Sequence, residues 1–320
     1  MDVSRDTCQF WFDSAPLAQQ ARTIVGKNGG TPIAIATTLS LISAFGFGTG
    51  FVLTQFALQW MPPRLGAAYS VPASTVLFWC MAPFTIDVTR FDAAAAILFA
   101  CVGVLFPATV ALLNFESNRL MGPNIAACVG GLTPVFAAAF ALIVIRESLR
   151  IGSALGIAAI TTGVALMALA NERAAARWPP WMLVLPLGAA AIRGAIQPLV
   201  KLGLVRWPDT IAALVIGYTV SSSVLMAAAF ISNASVKHRV HRLGVSWWIA
   251  VGLCNGLAVF CMYAALRHGP VYLVAPLVST YPLVTLLLSS VFLREEHVGL
   301  QTAAGVIAAV GGIGLLLISY

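Results

Sequence analysis

The chain has 320 residues, of which 60% are hydrophobic and 9% are charged, whereas a soluble domain carries about 25% charged residues. Together with a mean hydropathy of +0.92, this composition excludes a soluble globular protein. The formal net charge of +7 does not indicate a nucleic-acid partner. The basic residues occur singly at the ends of apolar stretches, where lysine and arginine side chains snorkel to the membrane interface.

Charge-free stretches follow one another along the chain, and each is long enough to cross a bilayer as a helix of about 20 residues. They run over 28–63, 65–86, 93–115, 120–145, 151–171, 178–200, 210–236, 243–266, 268–293 and 297–320, with one interruption at Arg193. None alternates polar with apolar residues, so barrel strands are excluded. Because helices satisfy their own backbone in lipid, the sequence predicts an all-α integral membrane protein with ten transmembrane helices.

The segments outside the predicted spans are short and leave no room for a nucleotide-binding domain. Residues 1–32 form a polar tail that is not a signal peptide, because the apolar run begins too late. The Phe10-Trp11-Phe12 segment either lies on the membrane surface or belongs to a disordered tail. The six cysteines have no CxxC spacing, which indicates neither a disulfide framework nor a metal site. We therefore expect no cofactor.

The second half of the chain repeats motifs of the first. In each half a Gly-Pro pair opens a span, a second proline follows within it, and an Arg-Glu pair closes it. These motifs are Gly122-Pro123, Thr133-Pro134 and Arg146-Glu147, and then Gly269-Pro270, Tyr281-Pro282 and Arg294-Glu295. The repeat unit is five helices, which places the two units at 33–171 and 178–320.

Five is an odd number of crossings, so the two units must lie in the membrane in opposite orientations. Such inverted repeats are typical of secondary transporters, in which the substrate site lies near the midplane between the halves and rocking of one half against the other alternates access. The sequence therefore predicts a secondary transporter that binds a small molecule between its two halves and works by alternating access.

The repeated segments resemble the two copies of the EamA domain of the drug/metabolite transporter superfamily, over essentially residues 33–320. The resemblance implies ten helices, both termini in the cytoplasm, and export or exchange of small metabolites such as amino acids. Two features depart from the family pattern. Arg146 and Arg294 stand where the family usually has glycine before the glutamate, and the arginine common early in the second span is missing from 67–72.

Charge alone does not orient the chain in the membrane. With the N-terminus inside, nine lysines and arginines fall on the inner side and eight on the outer side, so the positive-inside rule does not decide. We take the orientation with both termini in the cytoplasm from the resemblance, and with it a bacterial inner (plasma) membrane.

Arg193 is the one charge well inside a predicted span, and an arginine at the bilayer centre costs at least about 2.5 kcal/mol on insertion scales. Gln197 lies one turn further and Lys201 two turns further, so the three share a helical face. Either this face points into a cavity where Arg193 and Gln197 bind substrate, or it is structural. In the structural alternative Arg193 bonds neighbouring carbonyls and Lys201 anchors the helix end at the interface.

Other polar groups in the spans are further candidates. Glu116 is either a proton-coupling group, a counter-ion to Arg193 or Arg119, or an i,i+3 partner of Arg119 at the interface. Several amides and phenols either bind substrate or hold helices together. They are Asn114, Asn124, Asn255, Tyr263, Tyr272 and Tyr281.

Prolines and glycines mark where the helices bend or approach one another. Pro134 and Pro282 break the backbone hydrogen-bond ladder within their spans, and this break is either a plain kink or part of a gate. Gly46, Gly48 and Gly50 indicate close helix approach or a flexible gate. They do not indicate a nucleotide loop, because no strand precedes them.

Two other classes of function stay open as alternatives. A polytopic membrane enzyme needs paired carboxylates or a histidine cluster within the membrane, but all four histidines (His238, His241, His268 and His297) fall in connections, so we expect no catalysis. A channel-like facilitator needs a ring of like charges or a filter sequence, and neither recurs here. The expected partners are a small-molecule substrate and membrane lipid, with a homo-oligomer as an open alternative.

Overall fold

The computed structural model describes residues 31–144, 151–169, 179–231, 241–293 and 300–318. The tail before residue 31 and both Arg-Glu pairs, at 146–147 and 294–295, lie outside the described residues, as do the expectations placed on them. Within the described residues the chain is helical and contains no β-strand.

The described residues of the first half of the chain form six helices. They are α1 (Thr31–Leu58), α2 (Pro63–Thr85), α3 (Ala93–Leu105), α4 (Ala108–Gly130), α5 (Thr133–Val144) and α6 (Ile151–Leu169). A single 3-10 turn, Val88–Arg90, follows α2. Asp92 caps α3, since its carboxylate accepts a hydrogen bond from the backbone N–H of Ala95 (2.7 Å), which satisfies one of the free donors at a helix N-terminus.

In the second half, the part of the chain that the structure describes contains another six helices. They are α7 (Val184–Arg206), α8 (Thr210–Ile231), α9 (Arg242–His268), α10 (Val271–Val278), α11 (Tyr281–Phe292) and α12 (Leu300–Ile318). A 3-10 turn, Pro180–Leu183, precedes α7. Asp209 lies before α8 and accepts a hydrogen bond from the backbone N–H of Ala212 (3.0 Å), in the same capping role as Asp92.

Seven helical segments of the described chain are long and apolar enough to cross a membrane, and three shorter apolar helices accompany them, at Thr133–Val144, Ile151–Leu166 and Ala304–Leu315. Large apolar side chains face the outside of the bundle. Phe84, Phe230 and Ile318 are each more than four-fifths exposed, which suits a surface covered by lipid tails and not by water. The chain is an integral, multi-pass membrane protein.

Pro134 and Pro282 both lie at helix breaks. α5 begins with Thr133-Pro134, two residues after the end of α4, and α11 begins with Tyr281-Pro282, two residues after the end of α10. Each proline is the second residue of its helix, where the backbone N–H that proline lacks has no intrahelical partner in any case. The fourth and ninth predicted spans therefore each contain two helices joined by a short turn.

The boundary between the third and fourth predicted spans differs from the expectation. The charges of Glu116 and Arg119 predicted an interruption there, but these side chains pair with each other and the helix continues past them. The break comes at Gly122, where φ is 79° and ψ is 169°. Glycine adopts this left-handed φ without steric cost, and Pro123 begins the next helical turn.

Glycines allow α1 and α7 to approach the helices that follow the proline breaks. A Cβ atom at Gly48 would lie 2.6 Å from Cβ of Val284, and one at Gly194 would lie 2.6 Å from Cβ of Phe136. Neither position accepts a side chain without a shift of the neighbouring helix. The structure confirms close approach as the reason for glycine at Gly48.

A continuous core joins the two halves of the chain. Most of the closely contacting helix pairs combine one helix from each half: α1 with α9, α2 with α8 and α9, α6 with α12, and α7 with α4 and α5. Trp248, Tyr281 and Phe78 are the largest of the fully buried side chains. Because contacts between halves dominate, any space at the centre of the bundle is walled by both halves.

Candidate functional site

A cavity lies at the centre of the bundle among α1, α2, α4, α7, α8 and α9. It contains about 560 Å³ of atom-free space, a figure that includes space open to the outside. Polar side chains from both halves line it, namely Thr54, Ser70, Ser74, Asn114, Asn118, Arg193, Tyr218 and Asn255. The rest of the wall is largely aromatic and aliphatic.

The structure places Arg193 in the wall of this cavity. The residue is only 4% exposed, and the ion pairs found among the described residues join other groups, Arg90 with Asp87 and Arg119 with Glu116. Its Nε also lacks a hydrogen-bond partner in this part of the chain. The positive charge of Arg193 therefore has no carboxylate partner among the described residues. Burying such a charge costs several kcal/mol.

Two aromatic rings cover the guanidinium of Arg193. Its Cζ lies 4.9 Å from the ring centroid of Phe47 and 5.5 Å from that of Tyr281, which is within cation–π range. Tyr281 in turn stacks on Phe51, with a centroid distance of 5.5 Å and an interplanar angle of 7°. The rings hold the guanidinium in place but do not neutralise it.

Gln197 lies one turn along α7 from Arg193 and is fully buried. Neither its amide nitrogen nor its amide oxygen has a hydrogen-bond partner within the described residues. Leaving a buried amide unsatisfied costs about 1–3 kcal/mol. Gln197 is not part of the cavity wall in this conformation, so its hydrogen-bonding capacity is unused.

Asn114 and Asn255, from opposite halves, both line the cavity. Asn118, which the sequence analysis did not single out, lines it too, one turn after Asn114 on the same helix. Its Nδ2 donates to the backbone carbonyl of Phe51 (2.8 Å), while its Oδ1 has no partner among the described residues. The four-residue spacing from Asn114, which places both amides on one face of the helix, is the sequence signal that could have predicted it.

Other wall residues were not predicted from the sequence. Phe47, Phe51, Ser70, Ser74 and Tyr218 line the cavity, but phenylalanine, serine and tyrosine in apolar helices more often serve helix–helix contacts. Their role depends on which helices of the other half lie opposite, and the chain order does not show this.

Four of the predicted amide and phenol candidates are not among the residues that line the cavity, namely Asn124, Tyr263, Tyr272 and Tyr281. Asn124 accepts a hydrogen bond from Ser289 Oγ (2.8 Å) and so links α4 to α11. Tyr263 is buried behind the wall, with its ring centroid 6.4 Å from that of Phe106, and Tyr272 is half-buried in α10. Asn124 therefore fits the interhelical-contact alternative.

Glu116 lies outside the cavity and pairs with Arg119. The Nε of Arg119 lies 3.1 Å from both carboxylate oxygens, and the two side chains are 34% and 48% exposed. An exposed i,i+3 pair of this kind contributes about 0.2–1 kcal/mol. Of the alternatives for Glu116, the structure favours the pair with Arg119.

Lys201 does not snorkel to the membrane interface, so the expectation of an interfacial anchor is wrong. It is buried, and its Nζ donates to the backbone carbonyls of Leu266 (2.6 Å) and Gly269 (2.8 Å). These carbonyls lie at the C-terminal end of α9, where unpaired carbonyl groups and the helix dipole attract a cation.

Comparisons with known proteins give one family match and a match to a solved structure. The sequence model of the EamA-like transporter family matches residues 34–169 and again residues 180–318. A solved crystal structure superposes with a TM-score of 0.71 over 88% of this chain and 96% of its own, at 17% sequence identity, a likeness that shows the fold alone. None of the curated proteins matches the chain.

Proposed function

Because the chain belongs to the EamA-like transporter family, we propose that it is a secondary transporter that exports or exchanges a small metabolite bearing an acidic group. The observation that carries this proposal is Arg193, a buried cation in the cavity wall that lies against the rings of Phe47 and Tyr281 and forms no ion pair with the described residues. A substrate carboxylate supplies the missing counter-charge and accepts paired hydrogen bonds from the guanidinium.

The remainder of the cavity suits the rest of such a substrate. Asn114, Asn118 and Asn255 offer hydrogen-bond donors and acceptors, and the aromatic and aliphatic wall accommodates an apolar portion. We therefore favour zwitterionic or anionic metabolites with an apolar part, such as amino acids.

We further propose that ten segments cross the membrane as two inverted repeats, 33–171 and 178–320. Two hydrogen bonds between corresponding residues support the repeat. In one the donor belongs to the first half, and in the other the donor belongs to the second half. Ser74 Oγ in α2 donates to the carbonyl of Gly252 in α9 (2.7 Å), and Ser221 Oγ in α8 donates to the carbonyl of Gly103 in α3. Ser74 corresponds to Ser221, and Gly252 to Gly103.

Contacts between corresponding residues support a pseudo-twofold relation as well. Thr75 Oγ1 and Ser222 Oγ, which occupy the same place in α2 and α8, lie 2.7 Å apart in a mutual hydrogen bond. Where α6 meets α12, a Cβ at Gly163 would lie 2.6 Å from the Ala309 nitrogen, and one at Gly312 would lie 2.7 Å from the Ile160 nitrogen. A twofold axis produces both patterns, because a residue on the axis meets its own counterpart and every other contact between the halves occurs twice with the partners exchanged.

The two halves then alternate between conformations that open the central site to one side or the other. With an odd number of crossings per repeat, the axis lies in the membrane plane. We place both termini in the cytoplasm and the protein in the plasma membrane, which is the inner membrane in a bacterium. Since Glu116 pairs with Arg119 outside the cavity, we propose facilitated export or exchange down the substrate's own gradient.

Ligand binding by the purified protein in nanodiscs tests the role of Arg193. The probes are leucine and phenylalanine, each compared with its α-amide, and the readout is the ligand-dependent rise in melting temperature. We expect at least one carboxylate to stabilise the protein while its amide does not. Arg193→Gln should weaken that binding about 10-fold or more, because it removes hydrogen bonds between charged groups.

Arg64→Gln is the matched control, since Arg64 is exposed at the start of α2 and its loss should leave binding unchanged. If Arg193→Gln binds the carboxylate as tightly as the wild type but accumulates less folded protein, Arg193 is a structural residue and the proposed substrate class is wrong.

A further inference from the structure

A second depression opens where the C-terminal ends of α2, α7 and α9 lie together. This vestibule, lined by Asp87, Arg90, Trp207, Asp209, Arg267 and His268, contains about 990 Å³ of atom-free space that includes open solvent. The cavity meets the second half of α1 and the first half of α2, whereas the vestibule meets the ends of α2, α7 and α9. Between the two lies a closed layer, in which Gln197 and Val200 of α7 are fully buried.

Lys201 lies in this closed layer and has a counterpart in the other half. Gly48 and Gly194 make the same contacts to corresponding residues of α11 and α5, so they align α1 with α7. Seven residues after each of them come Gln55 and Lys201. The alignment therefore pairs an amide in α1 with the lysine in α7.

The surroundings of Gln55 and Lys201 correspond too, but their bonding differs. Lys201 Nζ donates to the carbonyl of Gly269 (2.8 Å), and Gly122 is the counterpart of Gly269 in the first half. The amide nitrogen of Gln55 lies 4.0 Å from the position of a Cβ at Gly122, yet Gln55 makes no hydrogen bond to the described residues. The vestibule end of the bundle is therefore held by hydrogen bonds from Lys201, whereas Gln55 forms no corresponding bond among the described residues at the cavity end.

We propose that Lys201 is a latch that keeps the vestibule end closed, and that opening this end releases its ammonium group into the pathway as a second cation for the acidic group of the substrate. The inference rests on the proposed function, because it requires the two halves to alternate between a conformation closed at the vestibule and one closed at the cavity end. In the exchanged conformation Gln55 reaches the carbonyl of Gly122 and closes the cavity end, while Lys201 gives up the carbonyls of Leu266 and Gly269.

The positions of Arg193 and Lys201 along α7 explain why the substrate favours the conformation that is open at the vestibule. Arg193 and Lys201 are two turns apart on one face, about 12 Å along the helix axis, and the unpartnered amide of Gln197 lies between them. A lysine released from its carbonyl partners in a buried layer needs a new counter-charge. A carboxylate passing from Arg193 to Lys201 supplies it, so an acidic substrate stabilises the conformation that is open at the vestibule.

Thiol labelling at two reporter positions tests the latch. The six native cysteines are replaced, and one cysteine is introduced either at Ala111, in the cavity wall, or at Val200, in the closed layer. The protein is held in nanodiscs, so that a small anionic thiosulfonate reaches both ends. We expect Lys201→Gln to raise the labelling rate of Val200→Cys about 10-fold or more, through the loss of charge-assisted hydrogen bonds, and to lower the rate at Ala111→Cys.

Gln55→Lys is the second variant and strengthens the opposite end. A lysine at this position should bond the carbonyl of Gly122, close the cavity end and slow labelling of Ala111→Cys, in the same direction as Lys201→Gln. Arg64→Gln, at the exposed start of α2, should change neither rate. Because Gln55→Lys keeps the native latch, it tests the proposal even where Lys201→Gln does not fold.

The proposal is overturned if Lys201→Gln leaves the ratio of the two labelling rates at the wild-type value or raises both rates together. It is overturned equally if Gln55→Lys leaves labelling of Ala111→Cys unchanged. Uptake of the bound carboxylate into proteoliposomes separates this outcome from failure of the proposed function. Reciprocal labelling without any uptake supports the latch and contradicts transport, whereas uptake without reciprocal labelling contradicts the latch alone.

Discussion

At the scale of single residues, Arg193 and Lys201 are two buried cations of one helix with opposite arrangements. Lys201 is held by the carbonyls of Leu266 and Gly269, so its charge is used within the protein. Arg193 has aromatic rings around it instead and no carboxylate partner among the described residues. This difference is the reason why we propose Arg193, and not Lys201, as the group that binds an acidic ligand in the observed conformation.

Glu116 gives the residue-scale prediction on energy coupling. A proton-coupling carboxylate must reach both sides of the membrane in turn, but Glu116 is paired with Arg119 outside the cavity. We expect Glu116→Gln to keep most of the flux of a neutral substrate, and collapse of the pH gradient to leave that flux unchanged. Uphill accumulation that is driven by an imposed pH gradient and is abolished in Glu116→Gln would show that Glu116 is the coupling group.

The sequence predicted Arg193 because a lone charge in an apolar span is expensive and therefore informative. It did not predict Phe47 and Phe51, because phenylalanines are common in membrane helices and only their contacts with Tyr281 and Arg193 distinguish them. Contacts of this kind join residues more than 140 positions apart, as with Phe47 and Arg193, and no local pattern encodes them.

At the scale of helices, the breaks at Pro134 and Pro282 were predictable because proline lacks a backbone N–H. Thr133-Pro134 and Tyr281-Pro282 begin new helices, because proline cannot continue the hydrogen-bond ladder of a preceding helix. The end of the third predicted span was misplaced, since Glu116 and Arg119 pair with each other and the helix runs on to the positive φ of Gly122. Charge marks a helix end less reliably than backbone geometry does.

Adjacent glycines in α12 provide the helix-scale prediction. A Cβ at Gly312 would lie 2.7 Å from the Ile160 nitrogen and 2.9 Å from the Gly156 carbonyl oxygen, whereas one at Gly311 meets nothing within 4 Å. Gly312→Val should therefore destabilise the protein by about 1–3 kcal/mol through overpacking against backbone. Gly311→Val is the control, and melting temperatures in detergent make the comparison. Equal losses in both variants would mean that α6 and α12 do not meet in this way.

At the scale of the whole molecule, the repeated Gly-Pro and Arg-Glu motifs predicted two related halves before any contact was known. The way the halves contact each other could not be predicted from the sequence, since the pairs α1 with α9 and α7 with α4 and α5 interleave the repeats. The cavity exists only because of this interleaving, as its polar wall takes Asn114 from one half and Asn255 from the other.

Membrane topology gives a prediction at the same scale. Ten crossings with an inverted repeat place both ends of the chain on one side. Reporter fusions after Lys27 and after Tyr320 should both report the cytoplasm, with a fusion in the connection around Arg64 as the control for the opposite side. Ends on opposite sides would require an odd number of crossings and would contradict the inverted repeat.

Counterflow in proteoliposomes tests the transporter assignment most directly. Vesicles are loaded with the unlabelled carboxylate that binds most tightly in nanodiscs, and uptake of the same labelled compound is followed from outside. We predict saturable uptake that internal substrate accelerates, that Arg64→Gln retains and that Arg193→Gln loses about 10-fold or more. Uptake that rises linearly with concentration, ignores internal substrate and persists in Arg193→Gln would contradict alternating access at Arg193 and indicate a channel-like facilitator.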